Sequence, residues 1–69
     1  MDLTPQAKIR WNQIPQHARV KLLNNVWCVA CQKMTGISDV VGTVERRDLI
    51  LRGKCTACGG GVARLIEGE

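Results

Sequence analysis

Cys28-Val29-Ala30-Cys31 and Cys55-Thr56-Ala57-Cys58 are the two stretches whose reading decides the fold. Each is a C-x-x-C pair, and 23 residues separate them. Two intervening residues let one turn aim both sulfurs at a single point, while the backbone N–H groups that follow can donate to the thiolates. In a cytosol that keeps thiols reduced, two such pairs read as a metal site rather than as disulfides. The interval between them carries a hairpin signal. Val40, Val41, Thr43 and Val44 form a β-branched arm, Arg46-Arg47-Asp48 interrupts it, and Leu49-Ile50-Leu51-Arg52 resumes it. An antiparallel ribbon returns its end to its beginning, so the second pair arrives beside the first and four sulfurs close a tetrahedral site. Gly42 inside the first arm is the expected place for a bulge. Gly59 and Gly60 supply the permissive φ needed to leave the second pair, and Val62 to Ile66 follows as a third short strand.

Zinc is the ion this paired spacing points to; iron in the same four sulfurs, as in rubredoxin-like electron transfer, and redox disulfides are the alternatives. Four protein sulfurs leave no coordination position for water, so the metal is expected to be structural. The lone His17, eleven residues before Cys28, reads as an exposed helical residue. Trp27, the aromatic next to the first pair, is expected to shield the sulfurs from water. A chain with one histidine, no paired carboxylates at useful spacing and no phosphate-binding glycine loop is not expected to be an enzyme or to take a small-molecule substrate.

The run Leu51-Arg52-Gly53-Lys54-Cys55-Thr56-Ala57-Cys58-Gly59-Gly60 resembles the zinc ribbon family, a likeness that extends over residues 26–67. The first pair departs from the common pattern, with Val29 where many ribbons have proline and Gln32 where they often have glycine. The resemblance implies Cys28, Cys31, Cys55 and Cys58 as ligands of one Zn²⁺ per chain. It also implies a fold that serves nucleic-acid binding, protein docking and structural support alike.

Outward from the ribbon, residues 1–25 read as a helical segment and 26–69 as the ribbon, together one compact domain of a small metal-stabilised α+β class. At 69 residues the chain is about half the usual domain size, too short for a comfortable core without a staple. Thr4 before Pro5 starts a helix, because the hydroxyl caps an orphan N–H and the ring presets φ. Ala7, Trp11 and Ile14 then share one face. Pro15 opens a second helix, and Asn24 and Asn25 close it in an expected left-handed cap. Ala18 with Leu22 and Val20 with Leu23 give that helix an apolar arc wider than one flat contact requires.

The formal charge of +4 falls to +2 once four thiolates and a divalent ion are counted, so the basicity is mild. Lys8, Arg10, Arg19 and Lys21 face only Asp2 in the first 27 residues, and the chain ends acidic at Glu67 and Glu69. Arg46 and Arg47 at the hairpin tip, Arg52 and Lys54 on the returning arm, and Lys33 and Arg64 nearby are the candidate nucleic-acid contacts. Asp39, Glu45 and Asp48 oppose them. A protein partner docking on the N-terminal helices is the competing expectation. Residues 1–9 have no apolar run of the kind a secretory signal needs, and the longest uncharged apolar run, Val26 to Cys31, is far too short for a membrane span. A soluble cytoplasmic protein without membrane contact is therefore expected.

Overall fold

Thr4 and Pro5 begin the first helix in the computed structural model, which describes residues 1–67. Helix α1 spans Pro5–Asn12, and the Thr4 hydroxyl accepts the Ala7 N–H at 3.2 Å. Ala7 and Trp11, one turn apart, are buried, while Ile14 packs half-buried beyond the helix end. Helix α2, Gln16–Asn24, opens directly after Pro15. Its end differs from the left-handed cap expected there, since Asn25 has φ −131°. The side-chain amides of Asn24 and Asn25 donate instead to the Val20 and Lys21 carbonyls at 2.8 and 2.9 Å. Those bonds satisfy last-turn acceptors without a left-handed residue. Ala18, Leu22 and Leu23 are half-buried and Val20 is exposed, so α2 rests one side on the core.

Strands of two sheets make up most of the remainder. A two-stranded sheet pairs β2 (Val26–Cys28) with β3 (Lys33–Thr35), antiparallel. A four-stranded sheet is built on β4 (Ile37–Glu45), β5 (Asp48–Cys55) and β6 (Gly61–Ile66), an antiparallel meander. Its fourth strand is unexpected. β1 (Asp2–Leu3) precedes both helices and lies parallel to β4, giving the order β1-β4-β5-β6. The expected order of N-terminal helices followed by one ribbon is thus corrected: a strand comes first, and the first cysteine pair sits on a small hairpin of its own. The α+β class stands.

One extra residue enters β4 between Ser38, which faces Lys54, and Val41, which faces Arg52. The bulge therefore lies at Asp39–Val40, with Asp39 at φ +51°, and not at Gly42. Gly42 has another reason to be small, because a Cβ there would collide with the Leu3 side chain crossing over it from β1. From the bulge to the tip the pleat sorts the side chains. Leu49 and Leu51 are fully buried beneath α1, together with Val62, Val40 and Trp11, while Arg52 and Lys54 stand on the opposite face. Cys28 and Cys55 belong to this same core. No helix among the described residues is long and apolar enough to cross a membrane. Of the acidic C-terminal residues, Glu69 lies outside the described part of the chain.

Candidate metal centre

Each C-x-x-C pair forms the turn of a hairpin. The first joins β2 to β3 and the second joins β5 to β6. The two turns share one backbone design: the Gln32 N–H donates to the Cys28 carbonyl at 2.7 Å, and the Gly59 N–H donates to the Cys55 carbonyl at 2.9 Å. The residue after each second cysteine is left-handed, Gln32 at φ +54° and Gly59 at +77°. Glycine adopts that conformation freely, whereas glutamine does so at a cost. The first turn is therefore the same turn made from a less suitable residue.

The four Sγ atoms lie within 4.8 Å of one another. The approaches run between the pairs, with Cys28 Sγ 3.6 Å from Cys58 Sγ and Cys31 Sγ 3.9 Å from Cys55 Sγ. Ligands about 2.3 Å from a common centre at tetrahedral angles stand about 3.8 Å apart, so these spacings match the edges of a tetrahedral thiolate site. All four cysteines are free. Around them, backbone donors are already aimed at sulfur: Cys31 N–H to Cys28 at 3.4 Å, Ala57 N–H to Cys55 at 3.3 Å, and Gly60 N–H to Cys58 at 3.4 Å. The four cysteines are placed to bind a metal ion.

The protonation behaviour of the cluster fits a cation at its centre. Hydrogen bonds to the Cys58 and Cys28 sulfurs, then burial, push the Cys31 thiol up to about 12. Cys55 moves the other way, down to about 6, chiefly because the Thr35 hydroxyl lies 3.2 Å from its sulfur and the Cys58 and Ala57 N–H groups face it. Crowded thiols resist carrying like charges together, and a divalent ion removes that resistance.

The expected nucleic-acid residues do not form one cluster. Arg46 and Arg47 make the two-residue tip between β4 and β5, exposed and both left-handed at φ +51° and +76°. Arg52 lies about 17 Å further along β5 from the tip, at roughly 3.3 Å per residue. Lys54 sits 3.9 Å from Asp39 across the bulge. Lys33 is exposed on β3, but Arg64 is opposite Leu51 on the core face of β6 and half-buried. His17 is exposed on α2 as expected. Trp27 corrects the expectation that it covers the sulfurs. The pleat of β2 buries Val26 and Cys28, which turns Trp27 to the other side, 54% exposed beside Met34.

Two residues escaped the sequence reading. Thr35 is the buried polar side chain of the core, in contact with Cys55 from 20 positions away, and nothing local in the sequence signals that contact. Arg10, on the last turn of α1, donates through Nη1 to the Arg47 carbonyl and ties the tip to the helix. The chain matches no protein-family model, no curated protein and no solved structure.

Proposed function

We propose that the chain is a structural, non-catalytic zinc ribbon in which one Zn²⁺ held by Cys28, Cys31, Cys55 and Cys58 fixes the fold. The observation that carries this reading is the convergence of two matching cysteine turns, with inter-pair sulfur spacings near the edge of a tetrahedral tetrathiolate. Zinc bound there would supply a charge centre and a cross-link between the two hairpins. The four thiolates would complete its coordination and leave no position for water, which is the signature of a structural site. Free cysteines used in this way fit a reducing compartment, the cytoplasm. Native mass spectrometry and metal analysis test the reading: one zinc per colourless chain is expected. Visible thiolate-to-metal absorption with iron in place of zinc would assign the rubredoxin-like alternative instead.

The surface work we assign to the ribbon is nucleic-acid binding at its tip. Two-residue turns with both central φ angles positive favour Asn-Gly, and a non-glycine residue held there costs about 1–2 kcal/mol. Arginine at both positions is therefore poorly explained by turn stability and well explained by what guanidinium groups touch. Arg10 and Arg47 also border an open recess of about 550 Å³ floored by Ile14 and Ile66, with Glu67 in its lining. A second reading, docking of a protein partner, rests on α2, which buries no residue completely, and on exposed Val20 and Ile9. Ionic strength separates the two. Phosphate contacts weaken steeply with salt, and an apolar helical interface does not. Capture of RNA or DNA that is lost at high salt supports the tip, whereas nuclease-resistant, salt-tolerant capture of a defined protein supports the helices.

A further inference from the structure

The Thr35 hydroxyl has three hydrogen-bond partners within reach. Its Oγ1 lies 3.5 Å from the Val26 carbonyl oxygen, 3.4 Å from that of Gly36 and 3.2 Å from Cys55 Sγ. The residue is buried on β3, away from the turns that carry the ligands, and it bridges the small hairpin to the last residue of β5. A metal-bound Cys55 sulfur would carry no proton and would be an acceptor only. A charged sulfur attracts a hydroxyl proton more strongly than a neutral carbonyl does.

We propose that Thr35 is a positioning residue of the metal site, whose hydroxyl donates to the metal-bound Cys55 sulfur and makes Cys55 the most firmly held of the four. The inference rests on the metal reading of the four cysteines. Donors on the other sulfurs support it by contrast. Cys55 would hold three, the Cys58 and Ala57 N–H groups and the Thr35 hydroxyl; Cys28 and Cys58 accept one N–H each; and Cys31 Sγ accepts no N–H among the described residues. Hydrogen bonds of this kind orient a ligand before the metal arrives and offset the charge it acquires. Removing such outer partners typically weakens metal binding 10- to 100-fold.

Two substitutions separate hydroxyl from bulk. Thr35→Val keeps the shape and removes the donor, and Thr35→Ser keeps the donor and removes a methyl. Competition against a chromophoric chelator should show zinc affinity falling about 10- to 100-fold in the valine variant and staying near wild type in the serine variant. Cobalt substituted for zinc should keep its tetrahedral d–d envelope in both. Its sulfur-to-metal charge-transfer band should move to longer wavelength only in the valine variant, because a thiolate without its donor is the better electron donor. Equal affinities in all three proteins, or equal losses in both variants, would overturn the role of the hydroxyl. Should the valine variant fail to fold, wild-type protein loaded with ¹¹³Cd gives the answer. The Thr35 hydroxyl proton should show a through-bond coupling to the metal, and a hydroxyl proton coupled to no metal overturns the proposal. Wild-type protein that takes up neither zinc nor cobalt would instead overturn the metal reading beneath it.

Discussion

Gln32 holds a left-handed φ of +54° at the position that Gly59 occupies in the second turn. Its side chain is exposed, so nothing obliges the residue to be large. Replacing it with glycine relieves about 1 kcal/mol of backbone strain, partly offset by the greater freedom glycine has in the unfolded chain. Gln32→Gly should therefore raise the melting temperature of the metal-loaded protein by a few degrees, and an unchanged or lower value would mean that the turn is not strained. The sulfurs carry a second expectation at this scale. A thiol lowered from 9.0 to about 6 favours the folded chain as thiolate, a contribution present above pH 9 and lost as pH falls towards 6. A thiol raised to about 12 favours the folded chain as the neutral form, present below pH 9 and lost as pH rises towards 12. In the folded chain between pH 6 and 9, Cys55 is thus favoured as the thiolate and Cys31 as the thiol. Zinc binding to a metal-free chain that is unfolded, with ordinary thiols, should release close to four protons at about pH 7.5, read from the buffer dependence of the calorimetric heat. A release of three would mean that the metal-free chain is already folded with Cys55 ionised.

At the scale of elements, the hairpin of β4 and β5 is where the proposed nucleic-acid contact and turn stability can be told apart. Replacing Arg46 and Arg47 with asparagine and glycine supplies the residues its two-residue turn favours. Thermal unfolding should therefore shift upward, while affinity for single- or double-stranded nucleic acid falls. Loss of two phosphate contacts should also flatten the logarithmic salt dependence on a duplex by about two units. Unchanged affinity would remove the tip from the recognition surface. The hairpin also shows how much structure can be read from residues alone. Its two arms are legible because β-branched runs flank a charged interruption, and only the tip is shorter than the sequence implies, since Asp48 already pairs with Glu45. The helix starts at Thr4-Pro5 and after Pro15 are equally legible, because capping is local chemistry. β1 is not, for two residues have no periodicity and their partner, β4, lies about 40 positions away. Trp27 falls between these cases. Once Cys28 must face the sulfur cluster, the period-two alternation of a strand already turns its neighbour outward.

In the whole molecule the proposed metal site would do the work of a larger core. Helix α1 covers Leu49 and Leu51, but α2 buries nothing fully, and the β2–β3 hairpin meets the rest of the chain largely through Val26, Thr35 and the cysteines. The convergence of the four cysteines was legible in the sequence because two C-x-x-C pairs flank a hairpin that brings them together. Thr35 and Arg10 were not, because each reaches its partner only after the elements have packed. A structural zinc contributes roughly 10–16 kcal/mol in small modules, as much as the whole stability of an ordinary domain. The central claim is therefore tested most directly by removing the ion with a chelator under reducing conditions and recording amide NMR dispersion together with the thermal transition. The account predicts that both collapse in the metal-free chain and return on addition of one equivalent of zinc. A metal-free protein that keeps a dispersed spectrum and a cooperative transition would contradict it.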